Sequence, residues 1–338
     1  MHEKLSTSEL LASLKAAGES TRLRLLALLA GGELNVKDLT RILGQSQPRI
    51  SRHLKLLTEA GLIERFREGS WVYFRLSDSD ARAGFTKRLV DALDVDDPVL
   101  ERDRARAEAV KQERAEAAQA YFRDHAAEWD EIRTLHLAES QVEAAMAKVL
   151  GKEPFGLLVD LGTGTGRILE LFANHFERGI GIDLNRDMLA YARDKLERAG
   201  HAHCQVRQGD LFNIVLEDGV ADAVVLHQVL HFLDDPARAL GEAARILAPG
   251  GRLLIVDFAP HELEYLRDDF AHRRLGIEPA QLDQWLTDAG LSLAKHLALK
   301  PGRKSDSEKL TVSVWVAAKP ATAGSKTARA ATVLERTG

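Results

Sequence analysis

The stretch LVDLGTGTGR, residues 158–167, restricts this chain more than any other. An apolar run ends in Asp160, glycines follow at 162, 164 and 166, and an amphipathic run opens directly behind them. Glycine at that density serves a turn with positive φ or a backbone that a ligand must approach closely, both of which a Cβ obstructs. Strand, tight turn and helix is the opening of a βα unit, and the helix turns its positive N-terminal end toward whatever lies over the turn. A nicotinamide loop reads G-x-G-x-x-G, whose third glycine would fall at Arg167. The spacing here is G-x-G-x-G and suits a ligand without a pyrophosphate.

Downstream, apolar and amphipathic runs alternate: GIGIDL, RDMLAYARDKLERAG, HCQVRQGD, ADAVVLHQ, PARALGEAARIL, GRLLIVDF. Short, almost wholly apolar strands between helices predict a parallel sheet covered on both faces. PAQLDQWLTDAG, LSLAKHLALK and KLTVSVWVAAK then predict a helix and two strands that pair antiparallel at one edge. Asp183 and Asp210 close the second and third strands, at the carboxyl ends where open α/β sheets bind ligands. Asp183 can accept both hydroxyls of a ribose, and Asp210 can accept from an adenine amino group.

The first hundred residues have a different grammar. Three short helices, each ended by glycine, precede SQPRISRHLKLLTEAG, in which Ser46 can cap, Pro48 fits a first turn, and Ile50, Leu54 and Leu57 fall on one face. LIERF and WVYFRL, joined by REGS, predict a β-hairpin. Helices followed by a hairpin outline a winged helix-turn-helix, and residues 78–94 add a further amphipathic helix suited to pairing two subunits. Residues 1–90 hold 15 Lys and Arg against 10 Asp and Glu, although the whole chain has a formal net charge of -5. The basic end is therefore N-terminal.

Residues 98–120 are Ala-rich with charges of both signs, which predicts a solvated helical linker held by i, i+4 ion pairs. The chain thus reads as a winged helix domain over 1–97, that linker, a nucleotide-binding domain over 121–318 and a disordered tail over 319–338. The single Cys204 excludes an internal disulfide and a thiolate-rich metal site. Without a signal peptide or an apolar run long enough to cross a membrane, the expected location is cytoplasmic.

VDLGTGTGR, GIDLN, QGDLF, VVLHQVLHFLDDP and LAPGGRLLIVDF, in this order, make the second half resemble the class I S-adenosylmethionine-dependent methyltransferases. The resemblance implies a Rossmann-like α/β fold with a seven-stranded sheet, with S-adenosyl-L-methionine as cofactor and S-adenosyl-L-homocysteine as product. Carried over, Asp160, Gly162, Gly164 and Gly166 would line the methionine moiety, Asp183 with Leu184 the ribose, Asp210 with Leu211 the adenine, and His227 the end of the pocket. His227, His231 and His261 fall where the family builds its acceptor pocket and are the candidates for a catalytic base. Tyr121–His136, with Phe122 and Trp129, would form a lid, and APHELEYLRDDFAHRRLG the opposite wall.

SQPRISRHLKLLTEAGLI followed by REGSWVYFRL resembles the ArsR/SmtB winged helix repressors. This implies double-stranded operator DNA as partner, with Gln47, Arg49, Ser51 and Arg52 in the major groove and Arg65 and Arg67 of the wing on phosphate or the minor groove. It also implies a homodimer through residues 5–14 and 78–94. Metal-sensing members carry cysteines where this chain has ELNVKDL, so no metal is expected. Arsenic methyltransferases hold the metalloid on cysteine thiols, which Cys204 alone cannot do. Two readings follow: a DNA-binding regulator with a working methyltransferase that acts on a small molecule, or a silent methyltransferase fold that senses the cofactor or its product to control DNA binding. A guided nucleic-acid methyltransferase fits less well, because HQVLHF stands where amino-methylating DNA enzymes carry an Asn/Asp-Pro-Pro-aromatic stretch.

Overall fold

The computed structural model describes residues 5–68, 71–77, 81–129, 139–151, 154–300 and 310–321. The chain divides into two compact units, Met1–Ala117 and Ala118–Gly338, each with its own core.

In the first unit, α1 (Thr7–Ala17) opens with a capping box between Ser6 and Glu9, and α2 (Ser20–Leu29) is capped by Glu19. α3 (Val36–Leu43) is capped by Asn35 and stopped by Gly44 in the left-handed conformation. α4 (Gln47–Glu59) buries Ile50, Leu54 and Leu57, the stripe its spacing predicts. Ser46 occupies the N-cap position without a side-chain capping bond, and Pro48 in the first turn sets the entry instead. β2 (Ile63–Glu68) and β3 (Trp71–Leu76) pair antiparallel, and a two-residue β1 (Leu34–Asn35) joins the other edge of β3. α5 covers Ala81–Asp91; residues 78–80 of the expected helix lie outside the described residues.

The charged run forms one helix, α6 (Pro98–Asp124), but it is not the solvated rod its composition predicts. Leu100, Asp103 and Val110 are buried, and Val110 belongs to the first unit's core. Its charges reach across to other elements: Asp103 takes a two-pronged bond from Arg24 at 2.5 and 2.7 Å, Glu113 pairs with Arg41 at 2.6 Å, and Arg114 pairs with the buried Asp38. A few apolar residues suffice because these ion pairs fasten the rest of the helix.

In the second unit, seven strands lie in the order β6-β5-β4-β7-β8-β10-β9. They are β4 (Phe155–Leu161), β5 (Phe176–Asp183), β6 (Cys204–Gln208), β7 (Ala221–His227), β8 (Leu247–Phe258), β9 (Ser292–Leu299) and β10 (Val312–Ala318). The first five run parallel, and β10 lies antiparallel between β8 and β9. The last two runs therefore pair as expected, with β9 rather than the terminal strand at the edge. Alternate residues of β4 feed opposite cores: Leu157, Val159 and Leu161 on one face, Leu158 on the other. The helix after β4 is shorter than its pattern, Arg167–Leu171, because Phe176 starts β5 and a 3-10 turn over Ala173–His175 makes the reversal. Residues 301–309, most of the tail and residues 130–136 of the expected lid lie outside the described residues.

Candidate functional site

The strand order reverses at β4, which pairs with β5 on one side and β7 on the other, so a crevice opens above its carboxyl end. The three loop glycines all have positive φ, 73° at Gly162, 51° at Gly164 and 80° at Gly166, but they serve different neighbours. A Cβ on Gly162 would lie 2.5 Å from a Val229 methyl, and one on Gly166 3.1 Å from Ala192, so these two are small for packing. A Cβ on Gly164 would meet nothing nearer than the Trp129 indole nitrogen at 3.6 Å. Gly164 is the glycine of the three that is not wedged by packing: the Trp129 ring lies beside it at ordinary contact distance.

Asp183 ends β5 and accepts from Gly164 N–H at 2.9 Å with one carboxylate oxygen and from Asn185 N–H at 2.8 Å with the other. Two of the predicted cofactor residues are thus directly bonded. Burial pushes the Asp183 carboxyl up from its ordinary range, against the pull of the backbone donors. Asn185 caps the following helix, Arg186–Arg198, and donates its amide to the Gln119 carbonyl at 3.2 Å. Asp160 is buried at the end of β4 and accepts the Thr163 hydroxyl at 2.6 Å. Leu184 is 44% exposed beside Asp183, and Leu211 is buried. Asp210, exposed beyond β6, accepts from Phe212 N–H at 2.9 Å in a tight turn.

Above Gly164 sits an aromatic group. Trp129 and Phe122 meet edge to face at 5.2 Å between ring centres, and Phe122 meets Phe232 at 4.8 Å. Tyr121 touches Phe270 at 6.4 Å, and burial with the nearby Asp269 carboxylate pushes its hydroxyl up to about 12. Phe122 and Trp129 therefore stand where the lid was expected.

The three histidines separate. His227 ends β7, nearly buried. His261 accepts from Leu263 N–H at 3.2 Å through Nδ1 and steadies its own turn. His231 is buried and bonds Asp257 through Nδ1 at 2.7 Å. Asp257, fully buried on β8, also accepts from Phe258 N–H at 2.8 Å and from His231 N–H at 3.3 Å. Sequence reading missed Asp257, although an acid inside the apolar run LLIVDF is the signal that could have found it. It also missed Gln228, whose φ of 57° is unusual for a side-chain-bearing residue and whose buried amide nitrogen has no partner.

In the first unit, Gln47, Arg49, Ser51 and Arg52 are all exposed on α4, opposite the buried stripe, and Arg65 and Arg67 are exposed on β2. Among the described residues no three His, Cys, Asp or Glu side chains are grouped to hold a metal, and no helix is long and apolar enough to cross a membrane. Burial pushes the Cys204 thiol up to about 11.

Comparison with known proteins agrees with this division. Residues 19–65 match the family described as bacterial regulatory protein, arsR family, and residues 159–255 match the family described as methyltransferase domain. The arsenical resistance operon repressor of Escherichia coli K12 is 52% identical over 64 residues, 19% of this chain and 55% of that protein. The demethylmenaquinone methyltransferase of Thermus thermophilus is 36% identical over 118 residues, 34% of this chain and 53% of that protein. The chain spans about half the length of the curated relatives it matches. A chain of the complex between the Haloferax volcanii Trm112 methyltransferase activator and a methyltransferase aligns with a TM-score of 0.50 at 22% identity, over 59% of this chain and 97% of that one. That likeness is one of fold.

Proposed function

We propose that this chain, which joins an arsR-type DNA-binding regulator domain to a methyltransferase domain, is a transcriptional regulator whose second domain binds S-adenosylmethionine and methylates a small-molecule acceptor. The observation that carries the reading is the bond from Gly164 N–H to Asp183: it fixes a carboxylate beside the glycine loop at the carboxyl end of β4, under the Trp129 ring. The residues fit the cofactor. Asp183 and Leu184 would hold the ribose, Asp210 and Leu211 the adenine, and Asp160 with the glycine loop and His227 the methionine end. When bound, the cofactor supplies a methyl group activated on a sulfonium. The chain's own task is to orient the acceptor and exclude water, and the Phe122, Trp129 and Phe232 rings supply the cover.

The same cofactor can also act as a signal. In favour of this second reading, α6 buries Val110 in the core of the first unit, and its Gln119 carbonyl is bonded by Asn185, two residues beyond Asp183. Cofactor binding at Asp183 would alter operator binding only if cofactor affinity differs between the DNA-bound and free states.

The test is fluorescence anisotropy of the full chain, at fixed salt, on DNA from upstream of its own gene, titrated with S-adenosylmethionine and with S-adenosylhomocysteine. Asp183→Ala removes the ribose acceptor and the loop's anchor, so cofactor binding measured by calorimetry is expected to weaken about ten- to thirtyfold while DNA binding persists. A wild-type protein that binds neither cofactor form defeats the proposal. Cofactor affinity is also expected to depend on acid. The ribose hydroxyls need the carboxylate form, and the Asp183 carboxyl is raised, so affinity falls as pH drops and does so above the usual Asp pKa of about 3.9. Calorimetry across mildly acidic buffers checks this; an affinity flat down to that pKa counts against it.

A further inference from the structure

We propose that His231 is the proton-accepting base of the acceptor site, positioned by Asp257, and that the acceptor is an aromatic hydroxyl. The inference rests on the methyltransferase reading above and extends it to a substrate class.

A histidine with Nδ1 on a buried carboxylate has its tautomer fixed: Nδ1 carries the proton and donates it to Asp257, and Nε2 keeps a lone pair. Among the described residues the bond to Asp257 is the ring's only hydrogen bond, which leaves Nε2 as the nitrogen that can act. Asp257 is itself held by two backbone N–H groups, from Phe258 and His231, so the pair is preorganised.

The surroundings are built for more than packing. Gln228 and Ala271 are the only side-chain-bearing residues with positive φ among those described, 57° and 56°, and each lies within three residues of one of two touching imidazoles, His231 and His272, whose ring centres are 4.3 Å apart. Backbone strain of this kind persists where the surrounding structure imposes it, and it gathers at sites that act on ligands. Gln228 also brings a buried amide nitrogen with no partner, a donor waiting for an oxygen. The Arg273 and Arg274 N–H groups clasp the His231 carbonyl and lock its turn.

Access sets the class of acceptor. His231 keeps only 1% of its surface, and its ring lies against Phe232, 4.0 Å away, which the Phe122 and Trp129 rings cover in turn. An acceptor reaches Nε2 only when these rings part, and the ring faces then line its way, which favours a flat aromatic ring. A base is needed only where the attacking atom has a proton to lose. As the acceptor oxygen's lone pair forms the O–CH3 bond, the methyl–sulfur bond breaks with its electron pair left on sulfur. The hydroxyl proton passes to Nε2, and the imidazolium, paired with Asp257, later gives it to water. The charged and titratable groups around it are Asp257 from β8, Asp234 beyond its own turn, and His272, Arg273 and Arg274 from the facing loop.

The experiment uses the full chain. Calorimetry first measures S-adenosylhomocysteine binding to wild type, His231→Gln and Asp257→Asn. Transfer of label from methyl-tritiated S-adenosylmethionine is then followed to phenol, to 4-nitrophenol, which ionises near neutral pH, and to arsenite, which has no need of an aromatic slot. Wild type is expected to label phenol with a rate that rises with pH to a plateau. His231→Gln, which keeps a donor toward Asp257, is expected to bind the cofactor within about twofold and to lose about 10²–10⁴ in rate on phenol. On 4-nitrophenol the deficit shrinks below about tenfold, because a phenolate needs no base. Asp257→Asn, the positioning variant, is expected to shift the acid limb of the pH profile. Equal rates for His231→Gln and wild type on phenol, label that enters arsenite but neither phenol, or cofactor binding with no label in any acceptor overturns the inference alone. Loss of cofactor binding by wild type removes the methyltransferase reading and the inference with it. Because either variant could fail to fold, ¹⁵N spectra of wild type loaded with S-adenosylhomocysteine give an independent check. Nε2 is expected to be unprotonated in mildly alkaline buffer, and a proton found there overturns the assignment.

Discussion

Gly162→Ala is expected to destabilise the methyltransferase domain by about 2–5 kcal/mol. Two costs combine. The residue has φ of 73°, and the new Cβ would stand 2.5 Å and 2.9 Å from the two Val229 methyl carbons. Valine is stiff at χ1 and cannot swing aside. Gly200→Ala isolates the first cost: φ there is 74° and nothing lies within 4 Å of the added carbon, so about 1–2 kcal/mol is expected. Thermal melting followed by tryptophan fluorescence compares the two, with the Gly162 variant falling by about 5–15 °C. Equal losses would mean that Val229 gives way and the loop is not wedged by packing. Val229 lies between His227 and His231, so the same contact ties the glycine loop to the segment that carries both histidines.

The second large effect is on DNA. Arg49→Ala with Arg52→Ala is expected to weaken operator binding by about 30-fold to 10⁴-fold, taking each forked contact with guanine as about 1–3 kcal/mol. Both side chains are exposed, and among the described residues neither guanidinium is paired with a carboxylate, so the fold does not need them. Arg41 makes the contrast. It is as basic but pairs with Glu113 at 2.6 Å, so Arg41→Ala is expected to cost little operator affinity. Anisotropy on operator and on scrambled DNA at several salt concentrations separates base readout from phosphate contact, since only the latter changes the salt slope. An unchanged preference for operator over scrambled sequence in the double variant would sink the assignment.

What could be read in advance follows from how local the cause is. Ile50, Leu54 and Leu57 announce their helix because burial on one face imposes its own period, and the glycine loop announces itself because positive φ is written in residue type. β1 could not be seen, since Leu34 and Asn35 are too few to show alternation and become a strand only by pairing with Phe74 and Tyr73. Leu100 and Val110 lie ten residues apart among charges, so nothing local marks α6 as packed; partners as distant as Arg24 and Asp38 decide it. The acids proposed for the cofactor, Asp160, Asp183 and Asp210, could be picked out because each falls at or just beyond the end of an apolar run. The His231–Asp257 pair was not, because it spans 26 residues and joins a 3-10 turn to the carboxyl end of β8.

The placement of β10 between β8 and β9 also governs the order of events on the ribosome. The sheet lacks an interior strand until residue 318 has been made, whereas the operator-reading unit needs only the first 117 residues. Domains fold as units, N-terminal first, during synthesis. A nascent chain can therefore present a finished first unit well before the sheet of its second half is complete. Messages truncated before residue 312 would then yield the first unit followed by an unfinished sheet.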